Sequence, residues 1–436
     1  MKKHLKGIRV EHHKETKVRA IRLMPPPKKV YIPMVQHIGA PCEPQVAVGD
    51  WVKMGQVIGD SRAFISAPIH ASGSGQVTNI TKETTQHGQN ITIIEITLDG
   101  KQEWADDLAP PVINCLEDFQ RALRNSGLVG LGGAAFPTHV KYKTNELQSV
   151  DTLIVNGAEC EPYITSDCRE MLERGSSVLY GIDAIVKHLN LKKAYIGIEK
   201  NKPEIISYMK ALTAGRSYIE VVPLREQYPQ GAERVLVYET TGKHLLAGQL
   251  PASMGIIMSN VTTVIKLDWY LKTGKPLISR VLTVTGNAIT KPQNVEAWIG
   301  TPLSEVVEFC GGYSKPPKKL ILGGPMMGRA IPTDQFVVQK GNNALLAFDE
   351  TMAGVAQETP CINCGRCVAG CPMNLMPTLL WKAFKRRDVE RLNELNVLSC
   401  MECGCCSYVC PAKKQLGYIN HLGKKLVMAK KQGGGK

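Results

Sequence analysis

The chain has 436 residues, 43% hydrophobic and 21% charged, long enough for three or four hydrophobic cores and ordinary in composition for a globular protein. An aromatic content of only 6% speaks against the base-stacking surfaces of nucleic-acid binders. The net charge of +14 is concentrated at the ends: residues 1–30 carry +8 and residues 411–436 carry +7, which leaves the remainder near −1. Such ends are either solvated tails or partners for an anionic lipid surface or an acidic protein. No apolar run reaches the ~18 residues of a membrane span, and Met1-Lys2-Lys3-His4 does not begin a signal peptide. Fourteen cysteines without a leader point to a reducing compartment and to metal rather than disulfides.

In chain order, residues 31–100 are rich in Gly, Pro, Val, Ile and Thr with frequent turn signals, a compact all-β pattern. From about 115 the period lengthens. Helices are expected over 118–125, 170–189, 203–212 and 231–239, with strands over 152–155, 194–198 and 219–222. This alternation predicts a parallel, doubly wound α/β domain. Residues 280–350 turn β-rich again, with strands at 281–285 and 320–322 and a short helix at 302–309, which fits a small β-grasp domain. Residues 375–398 read as helical and separate two cysteine motifs.

The motifs are Cys361-x2-Cys364-x2-Cys367-x3-Cys371-Pro372 and Cys400-x2-Cys403-x2-Cys406-x3-Cys410-Pro411. In this spacing three thiolates wrap one [4Fe–4S] cubane and the fourth, before Pro, closes the other. Cys361, Cys364, Cys367 and Cys410 are therefore expected to hold one cluster, and Cys371, Cys400, Cys403 and Cys406 the second. Four-Cys zinc sites use separated pairs instead. Cys405 falls out of register and reads as an inert thiol, as do Cys42, Cys115, Cys168 and Cys310.

A second candidate is the run holding Gly130, Gly132, Gly133, Phe136, Pro137 and Lys141. Glycines let backbone amides approach a phosphate, and a nearby lysine neutralises it. His139 reads as a loop or surface residue. Asn156, Glu159 and Glu161 follow at the carboxyl end of a predicted strand, the edge where open α/β sheets bind ligands.

These two runs together resemble the FMN- and NADH-binding motifs of the complex I flavoprotein subunit. The resemblance implies that Gly130, Gly132, Gly133, Lys141, Asn156 and Glu159 contact FMN and that Phe136 and Glu161 face NADH. Gly231 and Glu233 resemble that family's third flavin segment, and Asn260 its paired-asparagine segment. Ala135, Ala158, Ala232 and Ser259 depart from the pattern. Residues 46–77 resemble the barrel-sandwich hybrid of biotinyl and lipoyl carriers, but no lysine lies between Lys53 and Lys82, so a scaffold or docking role is expected.

The order of segments resembles the C subunit of Rnf complexes across almost the whole chain. That implies a multidomain α/β plus β protein: a basic segment 1–30, a barrel-sandwich hybrid 31–112, and a Rossmann-like FMN/NADH-binding α/β domain 113–275. A β-grasp (SLBB-type) domain 276–352, an α-helical two-[4Fe–4S] ferredoxin module 353–422 and a basic tail 423–436 complete it. The implied function is a peripheral, NAD(H)-linked electron-transfer subunit of an ion-translocating ferredoxin:NAD oxidoreductase. It would sit on the cytoplasmic face of the membrane with other subunits, an iron–sulfur subunit among them, and serve ferredoxin indirectly, with no nucleic-acid partner. The other readings are a relay or adaptor with an empty flavin fold, and a soluble NADH-dependent flavin/iron–sulfur reductase.

Overall fold

Among the described residues, four sheets and a helical module are joined by a segment that runs across three of them. The structure is a computed structural model and describes residues 4–84, 90–143, 146–354 and 356–433. Two antiparallel sheets form the all-β unit. One contains Lys29–Pro33, Asn90–Leu98, Gly75–Thr84 and Trp51–Val52; the other contains Glu43–Pro44, Val57–Asp60 and Ile69–His70. Val30, Ile32, Ile58, Ile69, Val77, Ile94 and Ile96, all β-branched, fill the space between them.

The α/β domain has a four-stranded, all-parallel sheet in the order Ile219–Leu224, Lys193–Glu199, Thr152–Asn156, Ile256–Asn260. Its strands are apolar runs because helices cover both faces. The chain reverses its winding between Thr152–Asn156 and Ile256–Asn260, which places a crevice beyond the carboxyl ends of those two strands.

One helix expected over 170–189 is two, Ser166–Glu173 and Gly175–His188. The break lies at Arg174 (φ −130°, ψ 29°), whose guanidinium is drawn aside by Glu170 and by Glu296 of the next domain. Gly175 is pressed against Tyr208, whose ring would lie 2.6 Å from a Cβ there. Tertiary packing thus overrode an unbroken helical period.

The fourth sheet, mixed and six-stranded, carries Ser279–Thr285, Gln293–Trp298, Lys319–Leu322, Arg329–Ile331 and Ala344–Phe348, with helix Leu303–Phe309 beside it. Its outermost strand, Ile21–Leu23, comes from the basic N-terminal segment and pairs in parallel with Gln293–Trp298. That segment is therefore not a solvated tail. The cysteine module is helical: Arg366–Ala369, Pro377–Lys385, Val389–Glu394, Cys405–Tyr408 and Leu416–Gly433. The residues expected as a basic tail from 423 continue the last of these helices through 433, and its Val427 is buried against the rest of the module.

Candidate redox site

The crevice brings together most of what the two sequence runs proposed. Asn156 and Asn260 are register partners on adjacent parallel strands. The Asn156 side chain accepts from the Ala158 amide (3.0 Å) and donates to the Gly231 carbonyl (2.9 Å), tying three candidate segments together. Gly231 approaches Ala158 so closely that a Cβ would lie 2.5 Å from its carbonyl. This keeps residues 230–232 out of the helix expected from 231, which begins at Glu233 instead. Glu233 is exposed in that helix's first turn.

The glycine-rich loop is closed by the Gly130 amide on the Phe136 carbonyl (2.7 Å) and the Ala135 amide on the Gly130 carbonyl (3.0 Å). Two neighbours pin Leu131: its amide donates to Thr263 Oγ1 (2.9 Å), and its carbonyl accepts from buried Arg280 (2.8 Å). Gly132, Gly133 and Ala134 are left exposed at the tip, and Phe136 is half-buried at its exit. Ala135, where the complex I pattern has glycine, adopts φ +50° and is held there by the Ile38 amide on its carbonyl (3.1 Å). Lys141 is partly buried and donates to the Met258 carbonyl on the fourth strand (3.2 Å). His139, expected in a loop or at the surface, is buried in the short helix Thr138–Lys141, and burial pushes its pKa down to about 4.

The two carboxylates diverge. Glu159 is 6% exposed; one oxygen accepts from the Asp167 amide (2.8 Å), and the other has no hydrogen-bond partner among the described residues. Burial raises its pKa to about 7 against the opposing pull of Lys14 and Lys202, with Asp167 adding to the rise. Glu161 turns the other way: its oxygens accept from the Met326 and Met327 amides (3.0 and 2.9 Å) in the turn between Lys319–Leu322 and Arg329–Ile331. Tyr228 lies beside it (3.4 Å) and donates to the Cys403 carbonyl at 2.8 Å. Asn260 is engaged in capping its helix and in donating to Asp167 (2.7 Å), so it shapes the crevice wall and limits Gly132, where a Cβ would come within 3.3 Å.

Exposed loop amides beside a lysine suit a phosphate. Glu159 Oε2 and Gln230 Nε2, both buried and without a hydrogen-bond partner among the described residues, are available to a ring with hydrogen-bonding edges. The donor set fits FMN.

Eight of the cysteines fall into two groups, each lining one cavity, with Cys405 beside the second group. Cys361, Cys364, Cys367 and Cys410 line one cavity; Cys371, Cys400, Cys403 and Cys406 line another. Each motif turns through a glycine in the left-handed region, Gly365 (φ 73°) and Gly404 (φ 76°), opening a short helix that carries the third cysteine. Amides of Leu375 and Glu402 already point at Cys371 and Cys400 sulfur (3.4 Å each), the type of contact that tunes a cluster. Two cavities, one lined by four of these thiols and the other by four with Cys405 beside them, fit two cubanes, and the second already has amides aimed at its sulfurs. Cys405 is buried against Tyr228 and Ile8.

Sequence reasoning missed Lys14, Lys202, Asp167 and Tyr228. The alternation of apolar Ile8 and Val10 within a basic stretch was the available signal that this segment lies on a surface rather than in water.

Protein-family models match the chain in the same order: an RnfC barrel sandwich hybrid domain over 2–101, a Nuo51 FMN-binding domain over 123–269, an SLBB domain over 281–330 and a 4Fe-4S dicluster domain over 353–411. The C subunit of the proton-translocating ferredoxin:NAD(+) oxidoreductase complex of Clostridium ljungdahlii is 42% identical over 94% of this chain and 90% of its own length. Its Na(+)-translocating counterpart from Acetobacterium woodii is 37% identical over 94% and 93%. The C subunit of the ion-translocating oxidoreductase complex of Rhodobacter capsulatus is 39% identical over 88% and 75%. Among solved structures, an air-oxidized NAD+-reducing [NiFe]-hydrogenase matches with a TM-score of 0.52 at 18% identity, over 72% of this chain and 62% of that one, a likeness of fold. The chain belongs to the family of C subunits of ion-translocating ferredoxin:NAD(+) oxidoreductase (Rnf-type) complexes, electron-transfer subunits with an FMN-binding domain and a 4Fe-4S dicluster domain.

Proposed function

We propose that this subunit exchanges electrons between NAD(H) and an iron–sulfur partner subunit, with the Cys371/Cys400/Cys403/Cys406 ring on the flavin side and the Cys361/Cys364/Cys367/Cys410 ring on the partner side. The observation that carries this order is the bridge from the acidic loop to the second ring, Glu161 to Tyr228 to the Cys403 carbonyl. The first ring lies outward: Cys364 is exposed, and so is Ile362 beside it.

Bound FMN supplies the conversion between a hydride's electron pair and the single electrons that clusters carry. The chain does the positioning. Gly130, Gly132 and Gly133 present backbone amides to the phosphate, Lys141 adds charge, and Asn156, Glu159, Gly231, Glu233 and Asn260 shape the crevice. Phe136 and Glu161 border the nicotinamide side. No side chain needs to act as an acid or base for hydride transfer. Among the described residues no helix is long and apolar enough to cross a membrane. We place the protein as a peripheral component on the cytoplasmic face, reached by ferredoxin through other subunits of the complex.

The test is anaerobic. Purified protein should take up FMN, recovered by fluorescence after denaturation, and NADH should bleach the cluster absorbance. Clusters with neither FMN uptake nor NADH bleaching would mark a relay with an empty flavin fold.

A further inference from the structure

The segment before the barrel-sandwich hybrid is built into the α/β crevice. Ile8 and Tyr228 exchange backbone hydrogen bonds (2.9 Å each way), and the His12 carbonyl accepts from the Tyr163 amide (2.9 Å). Thr16 meets Thr165 (2.6 Å), and the Thr16 carbonyl accepts from Asn294 (3.0 Å). Arg9, Val10 and His12 form one wall of a cavity whose other walls, Cys160, Glu199 and Glu226 among them, lie at and just beyond the strand ends. Between these anchors Lys14 points inward, its side chain 12% exposed.

The Lys14 ammonium has three protons to donate, and the loop after Thr152–Asn156 supplies three carbonyls for them: Glu159 (2.9 Å), Glu161 (2.8 Å) and Ile164. The loop carrying both candidate carboxylates is thus wound around one lysine from outside the domain. The same ammonium lies 3.9 Å from the free oxygen of Glu159.

We propose that Lys14 is a positioning residue of the flavin site, holding the 159–164 loop by its carbonyls and balancing the charge that Glu159 presents to the crevice. This rests on the flavin reading above. The charged and titratable groups facing Glu159 come from every element packed on it. Lys14 lies on the N-terminal segment, and Lys202, which pairs with Glu199 at 2.7 Å, follows the second strand. Asp167 and Cys168 lie on helix Ser166–Glu173, where Asp167 is in turn close to Glu170; Cys160 is on the loop itself. Lys14 lowers the pKa of Glu159, so its removal moves the titration of that carboxyl upward from near 7.

The experiment measures the dissociation constant of FMN for the flavin-stripped full-length chain, clusters intact, by fluorescence quenching between pH 5.5 and 9. The parent should show an inflection near pH 7, with affinity weaker where Glu159 is ionised and no longer has a proton to donate to the flavin ring edge. Lys14→Met should move that inflection up by about one pH unit, a tenfold change in ionisation constant, and Lys14→Arg should bring it back toward the parent. Glu159→Gln leaves the carbonyl cradle of Lys14 intact, so it tests the idea even if Lys14→Met fails to fold, and it should erase the inflection. An unmoved inflection in folded Lys14→Met, or a persistent one in Glu159→Gln, overturns the proposal while leaving the flavin reading standing. Absence of FMN binding at every pH overturns both.

Discussion

The eight thiols proposed as cluster ligands, of nine in the cysteine module, all come from residues 361–411, and the cavities they line are built largely from within that stretch. The α/β site is assembled differently: Glu159 alone answers to groups from residues 14, 167 and 202, and the glycine-rich loop is pinned from residues 38, 263 and 280. Covalent ligation fixes a cluster by the identity and spacing of a few residues. A flavin crevice is held by many weak contacts, each worth about 1 kcal/mol and each from a different segment. Damage should therefore be local and complete in the first case, distant and graded in the second.

The largest expected effect tests the local side. Cys403→Ser should remove one cluster and about half of the bound iron, while NADH still reduces the bound flavin. Cluster bleaching by NADH should then fail, because the ring beside Tyr228 is gone. Cys364→Ser should also halve the iron but leave NADH bleaching of the remaining cluster. Iron analysis with anaerobic absorbance and EPR spectra separates the two. Equal bleaching in both variants would refute the order of the rings.

Next is the flavin site itself. Lys141→Ala removes a charge-assisted contact of about 1.5–3 kcal/mol, so FMN should bind roughly 10- to 100-fold more weakly by fluorescence titration. Iron content should be unchanged, which marks the independence of the two sites.

A smaller effect is expected at the bridge between them. Glu161→Gln keeps the shape but weakens two charge-assisted bonds from the Met326 and Met327 amides, a loss of about 1–2 kcal/mol. NADH-driven cluster reduction in stopped flow should slow, with FMN affinity nearly that of the parent. An equal loss of FMN affinity would instead place Glu161 in the flavin crevice.

The same contrast explains what could be read from the sequence. The cysteine spacing encodes its site in one dimension, so the two groups of cysteines that line the two cavities could be grouped before any fold. Asn156, Glu159 and Glu161 were legible as residues at a strand's carboxyl end, because strand position alone puts them at the crevice. Their partners were not. Lys14 is one of ten basic residues among the first thirty, and nothing local separates it from a solvated neighbour. The break at Arg174 is equally non-local, since Glu296 and Tyr208 cause it from other elements. Glu161 was read by resemblance as bordering NADH, but its bonds to the Met326 and Met327 amides, from a distant segment, could not be read from the sequence.

The smallest expected effect lies where three segments meet. Lys340, 1% exposed, donates to the carbonyls of Pro68 in the barrel-sandwich hybrid and Gly127 before the glycine-rich loop (2.7 Å each). Burial pushes its pKa down to about 8. Between that value and the ordinary lysine range near 10.4, the folded chain binds fewer protons than the unfolded one, so this lysine's contribution to stability rises with pH across the window. Below about pH 8 both states are protonated and the cost of burying the ammonium is present in full. Lys340→Met removes both the titration and the two bonds. The melting temperature of the parent should therefore gain on that of Lys340→Met as pH rises from 8 to 10, with the difference flat between 6 and 7.5. A difference independent of pH throughout would show that the ammonium keeps its proton across the junction. The non-local assembly of the flavin side would then rest on a permanent charge.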